Sequence, residues 1–410
     1  MKRTTLKPLG SIINILLFLI LLNQSLAIAL SDSYVTIAST GTIEETTRAR
    51  NHVVAYALGT SASDDLIQHL AWFDIVDIGS EFSRQAARIK ALNPKALVIA
   101  YESIMSMHTY EADWPEVNAH EDWFLHDVNG NRIRCVGTGF DGGYGMDVGN
   151  FGWREHFANR LKSLLKTYPS LDGIFGDNAW DTFMYNVWNV PEEQLPADIE
   201  SRWHNDMLGM IRFVKATIGT KLLIINTYND NDYVNACDGK MHEGWVHASW
   251  KPFDQFISVD DWLRCVDDSL EHVSRTGKYY LVQSGTEIPD NPTETDLEKT
   301  RAIMMYCLCS YLLGINGTRA TFAFNFIKSA DGSLGYYPEF DAARSLGSPI
   351  YYFYSFASVY ARDFNMGKVL VNPKTSSYTV NLGSQYKTLD GRIVSSVTLD
   401  AHSGIILLKP

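Results

Sequence analysis

Leu171-Asp172-Gly173-Ile174-Phe175-Gly176-Asp177-Asn178-Ala179-Trp180 sets out the architecture of the chain in ten residues. A short apolar run emerges directly into an acid, an amide and an indole, as a buried strand does where it leaves a sheet. Asp172-Gly173 reads as the turn into that strand, which makes Asp172 structural. A helical pattern precedes the run (Trp153 to Tyr168) and another follows it (Ile199 to Ile218), so the strand sits in a β/α alternation.

The alternation extends both ways. Before it lie the runs His52–Leu58, Trp72–Ile78 and Ala96–Tyr101, with a helical pattern over Ser83 to Leu92. After it come Lys221–Asn226, a weaker run at Lys240 to Glu243, then Lys278–Gln283 and Ala320–Asn325, with helical patterns over Asp260 to Thr276 and Asp296 to Leu313. Strands alternating with helices predict a parallel sheet, and eight of them predict closure into an α/β fold of the (β/α)8 TIM-barrel type rather than an open doubly wound sheet. From about Tyr360 the period changes to short alternating segments, Gly367–Val371, Tyr378–Leu382, Ile393–Leu399 and Ser403–Leu408. These predict a small C-terminal antiparallel β-domain of the sandwich kind. The expected organisation is a leader over 1–29, a barrel over 45–358 and the β-domain over 359–410.

Lys2, Arg3 and Lys7, the apolar run Ile12 to Leu22 and the Ala27/Ala29 pair have the form of a secretory signal peptide, against which an uncleaved anchor is the competing reading. Removing those three positive charges takes the formal net charge from −12 to −15. So acidic a surface disfavours nucleic acid and anionic lipid and leaves neutral polymers open, with no membrane insertion expected after cleavage. Cys135, Cys237, Cys265, Cys307 and Cys309 fit neither a disulfide framework nor a metal knuckle, though one disulfide stays open. The abundant Tyr and Trp suit the flat faces of sugar rings as well as they suit a core.

In such a barrel the C-terminal ends of the strands carry the chemistry. Those ends supply Tyr56, Glu81, Tyr101, Glu102, Asp177, Asn178, Asn226, Glu243, Gln283 and Asn325, with Trp180 and Trp245 close behind. Asp177 and Glu243 are the candidate catalytic pair, since two carboxylates flanking a glycosidic bond suffice for its cleavage, and the other residues are expected to bind substrate. The competing readings are a helix cap for Asp177 and a surface-loop acid for Glu243. His242 and His247 are five apart across a glycine, unlike the zincin His-Glu-x-x-His, so neither a metal nor another cofactor is expected. Gly137, Gly139 and Gly142 match G-x-G-x-x-G without the strand and helix that a phosphate cradle needs, and are expected to lie in a loop over the barrel mouth that acts as a mobile lid. No G-x-S-x-G elbow supports an esterase.

Gly143-Tyr-Gly-Met-Asp-Val-Gly-Asn150, then Trp153-Arg-Glu155, then Asp172-Gly-Ile-Phe-Gly-Asp-Asn178 resemble a pattern of barrel glycosidases. The chain is most similar to the glycoside-hydrolase-like family fifteen of hypothetical glycosyl hydrolases, distantly similar in turn to the α-galactosidase and polygalactosaminidase barrels. The likeness spans about Val53 to Phe326, and Gly367–Pro373 with Leu389-Asp-Gly391 is similar to the β-domain that often follows such barrels. It implies a nucleophile at Asp177 and an acid/base at the end of strand six. That place is an aspartate in the relatives and Glu243 here. It also implies a supporting role for Asp147, in orienting its loop or capping the following helix. A second barrel clan places its acid at the end of strand seven, which would make Glu287 the reserve. The function expected is a secreted glycoside hydrolase, probing an oligo- or polysaccharide, with a catalytically inactive glycan-binding barrel as the alternative and a deacetylase disfavoured for want of a His/Asp metal constellation.

Overall fold

Residues 47–410, apart from 57, 59–60, 137–141, 184–186, 229–230 and 328–331, are described by a computed structural model. The leader and Gly137 with Gly139, and with them most of the expected lid, lie outside the described residues.

The apolar runs become β1 (His52–Ala55), β2 (Ile75–Gly79), β3 (Leu97–Ser103), β4 (Gly173–Asp177), β5 (Leu222–Asn226), β6 (Gly239–Glu243), β7 (Tyr279–Ser284) and β8 (Ala320–Phe324). Every neighbouring pair from β1 to β8 is parallel. A parallel bridge from Asn51 to Phe322 closes the ring. Followed once around, the pairing returns to β1 shifted by eight residues, the shear of a closed (β/α)8 barrel.

The outer helices include α1 (Asp64–Leu70), α2 (Ala86–Leu92), α3 (Phe151–Thr167), α4 (Ile199–Ile218), α5 (Asn231–Ala236), α6 (Val259–Thr276), α7 (Glu294–Gly314) and α8 (Glu339–Ser345). Asn150, Ser258 and Thr293 cap α3, α6 and α7 by accepting a backbone N–H at the third residue of the helix. The short helices α1, α5 and α8 carry too few turns to show a period in the sequence. Asp172 accepts the Val98 amide at 2.7 Å and pairs with Lys90 at 2.6 Å, the structural role expected of it.

A shear of eight means that each step to the next strand rises by one residue, which sorts the inward side chains into layers of four. Asp77, Phe175, Met241 and Ala323 form one layer. Val54, Tyr101, Asn226 and Gln283 lie above it, and Gly79, Asp177, Glu243 and Asn325 form the layer at the mouth. Asp77 aside, the lowest of these layers is apolar and the two above it carry the polar groups, so the chemistry has one end to occupy.

The tail is one six-stranded antiparallel sheet of β9 (Tyr354–Phe356), β10 (Val359–Phe364), β11 (Gly367–Asn372), β12 (Tyr378–Lys387), β13 (Ile393–Leu399) and β14 (Ser403–Leu408). It packs on α7, whose C-terminal half is buried on both sides. Gly404 allows that approach, since a Cβ there would stand 2.5 Å from the Cβ of Cys309. Arg362 of β10, fully buried, donates to the carbonyls of Leu313 (2.7 Å) and Ile315 (2.8 Å), which meets the negative end of α7 with a cation. The five cysteines are thiols, and burial pushes Cys307 up to about 12.

Candidate active site

Asp177 and Glu243 share a layer because they end β4 and β6, strands of the same parity. Between them β5 ends in Asn226, one layer lower. Its amide nitrogen donates one hydrogen to Asp177 Oδ1 at 2.9 Å and the other to Glu243 Oε2 at 2.8 Å. The two bridged oxygens are therefore no farther apart than the sum of those bonds, about 5.7 Å. Neither acid caps a helix or lies on the surface: Asp177 is buried and Glu243 is largely so.

Asp177 is held from every side. Tyr101 donates its hydroxyl to Oδ2 at 2.5 Å, and the Asn178 amide donates to the same oxygen at 3.1 Å. Asn178 reaches back in this way because its backbone is left-handed, at φ 59, which turns a neighbour that would otherwise face outward. Burial pushes the Asp177 carboxyl up, while the bonds from Tyr101, Asn226 and the Asn178 backbone pull it down. Among the described residues, Glu243 has the Asn226 bond alone. Burial and the charge of Asp177 push it up to about 7. One acid is thus better disposed to be ionised and the other to hold its proton.

Tyr56 stacks on Tyr101 with ring centroids 5.0 Å apart, and its hydroxyl is pushed up by burial and then by Asp177, Glu243 and Asp77. Gln283 faces the lumen beside Glu243 with neither end of its amide bonded among the described residues. Glu81 folds back over Gly79 at the rim. Trp180 is half-buried, with its carbonyl taking the Trp203 indole N–H at 3.1 Å. Asn325 faces the mouth, but its side-chain oxygen accepts the Thr286 amide at 2.9 Å and so holds the β7 loop. Asp147 ties its loop to α4 through Arg202 at 2.9 Å. Glu287 is exposed, outside the layers of the lumen.

Two expected sugar contacts are corrected. Trp245 is 0% exposed, packed outward with its indole N–H donating to the Cys265 carbonyl of α6 at 3.1 Å, because β6 ends at Glu243 and the left-handed Gly244 (φ 76) breaks the alternation that would have kept Trp245 on the same face as the acid. Glu102 follows inward-facing Tyr101 and so points outward, where it pairs with Arg160 of α3 at 2.7 Å.

Sequence reasoning missed Asp77, Tyr228 and Trp250. Asp77 lies in the layer beneath Tyr101 and Asn226, 0% exposed, with neither oxygen hydrogen-bonded among the described residues. Burial, then Asp177, holds its carboxyl well above the usual range. The folded state keeps a proton that the unfolded chain releases above its ordinary value of 3.8, so stability falls as pH rises from there. Asp77→Asn, neutral at every pH, is expected to melt several degrees above the wild type at pH 7, with the gap closing towards pH 4. Equal melting temperatures across that range would refute the buried charge penalty.

The family model described as hypothetical glycosyl hydrolase family 15 matches residues 90–368. No curated protein sequence matches the chain. Among solved structures, the chain is similar to the glycoside hydrolase domain of PelA from Pseudomonas aeruginosa (14% identity, TM-score 0.47, 70% of this chain and 97% of that one). It is also similar to an α-amylase from Anoxybacillus (12% identity, TM-score 0.49, 89% and 98%) and to the α-galactosidase TtGalA from Thermus thermophilus (13% identity, TM-score 0.41, 73% and 61%). Likenesses this distant bear on neither residue roles nor substrate.

Proposed function

The chain belongs to hypothetical glycosyl hydrolase family 15, a glycosidase by that membership, and from this premise we propose a secreted, retaining enzyme with Asp177 as nucleophile and Glu243 as acid/base. The observation that carries the assignment is the single Asn226 amide that spans both carboxyls. Two carboxyls close enough to share one amide nitrogen fit the short separation, roughly 5–5.5 Å, of double displacement better than the ~6.5–9.5 Å that leaves room for an attacking water.

In the first step an Asp177 oxygen attacks the anomeric carbon as the bond to the leaving oxygen breaks, and Glu243 gives that oxygen its proton. In the second, the Glu243 carboxylate takes a proton from water, the hydroxide oxygen bonds to the anomeric carbon, and Asp177 departs as carboxylate. Asn226 holds the two acids in register throughout, and Tyr101 keeps Asp177 pointed across the mouth. Export is supported by the N-terminal Lys2, Arg3, Lys7, Ile12–Leu22 and Ala27/Ala29 pattern.

The test is a panel of soluble polysaccharides, read for new reducing ends and, by proton NMR, for the anomer formed first. Product whose anomer matches that of the bond cleaved is expected. The opposite anomer would overturn double displacement, and binding without any product would favour a barrel that holds glycan uncut.

A further inference from the structure

Glu243 is followed by Gly244 at φ 76, where the chain leaves β6. A Cβ built at Gly244 would meet Trp250 Cη2 at 3.0 Å and Cζ2 at 3.2 Å, with Ala248 Cβ at 3.1 Å. The Trp250 ring therefore lies against the backbone of the residue next to the acid, an approach that glycine alone permits. That ring is nevertheless 52% exposed, whereas Trp245 of the same loop is wholly buried. Leaving so much apolar ring in water forgoes stabilisation of about 1 kcal/mol or more, so packing does not account for its position.

A second ring stands on the same side. Tyr228 follows β5 two residues beyond Asn226 and is 41% exposed. Its ring meets that of His242, the residue before Glu243, edge-on with centroids 6.2 Å apart, and burial, then Glu243, then Asp177 push its hydroxyl up. Tyr56, just past β1, and Tyr101 of β3 sit across the barrel, with Tyr101 bonded to Asp177. The aromatic groups are thus divided between the two acids.

We propose that Trp250, with Tyr228, is the platform for the sugar ring on the leaving side of the scissile bond, so that the substrate is an oligo- or polysaccharide presenting a pyranose face next to Glu243. The chemistry requires this side: the group that departs is the one Glu243 protonates, and its ring has to lie beside that acid. An indole face offers apolar area to the axial C–H groups of a pyranose, and Tyr228 supplies a hydroxyl for its polar edge. The proposal rests on Glu243 being the acid.

The test is affinity electrophoresis of wild type, Trp250→Ala, Trp250→Phe and Asp177→Asn in gels cast with chitosan, dextran, galactan, xylan or mannan, with product release measured separately. Trp250→Ala is expected to bind about ten-fold more weakly than wild type, Trp250→Phe within about three-fold, and Asp177→Asn as tightly as wild type. A wild type retarded by no polymer, or a Trp250→Ala variant retarded equally, overturns the platform. Binding that depends on Trp250 without release of product leaves the platform standing and sinks the catalytic reading. Because Trp250 is half exposed, its variants should melt with the wild type, which separates lost binding from lost folding.

Discussion

Asp177→Asn is expected to lower kcat/KM by at least about a thousand-fold, or roughly 4 kcal/mol of transition-state stabilisation, on any substrate that the wild type cleaves. An amide of the same shape cannot form the ester with the anomeric carbon, and among the described residues no second carboxylate stands where it could substitute: Glu243 is across the mouth and Asp77 is two layers below. The loss is expected without unfolding. Asp177 is held above its ordinary value by burial, so the folded protein retains a proton that the unfolded chain gives up, and the acid costs stability as pH rises beyond that value. The neutral variant should therefore melt at or above the wild type near pH 7. Turnover within ten-fold of wild type would remove Asp177 from the reaction.

Glu243→Gln is expected to lose about 10²–10⁴-fold on a substrate whose leaving group is a sugar, the scale of general acid catalysis. The same change should cost far less with a glycosyl fluoride, since fluoride departs without a proton. The pH profile gives a second reading. With Glu243 pushed up to about 7 by burial and by Asp177, its protonated form, and with it the wild-type kcat/KM, should fall as pH rises through that value. Glu243→Gln has no proton to lose there, so its alkaline limb should be absent. A variant that kept the limb would assign it to another group.

The β/α order was legible because the eight runs are short, β-branched and separated by helical periods, and Ile199–Ile218 even keeps its predicted ends. The two acids were legible because a strand end is a marked place: an apolar run stops and a polar residue follows. Which neighbour at that end faces the lumen was not. Tyr101-Glu102 and Glu243-Gly244-Trp245 are alike as text, but strand phase sends Glu102 to Arg160, while the left-handed Gly244 ends β6 and lets Trp245 turn into the core. Both faces of a parallel barrel strand are apolar, so alternation does not display its phase. For the same reason nothing in the run Trp72–Ile78 marks Asp77, set between Val76 and Ile78, as facing the lumen. Trp250 depends on a close approach to Gly244 from six residues away, which no local pattern records. In the tail, β9 and β10 were missed because Arg362 and Asp363 break the apolar alternation; the arginine is buried there only because α7 offers it carbonyls.

The central claim is that Asp177 bonds covalently to the sugar while Glu243 serves its departure and return. It is tested most directly in Glu243→Ala, supplied with the glycosyl fluoride of the sugar that the wild type releases. Fluoride leaves without the missing acid, but water lacks its base, so the glycosyl-enzyme should accumulate. Mass spectrometry of the digested protein is expected to find one glycosyl residue on the peptide carrying Asp177. Turnover of the fluoride with no adduct there, or an adduct on a different carboxylate, would contradict the account.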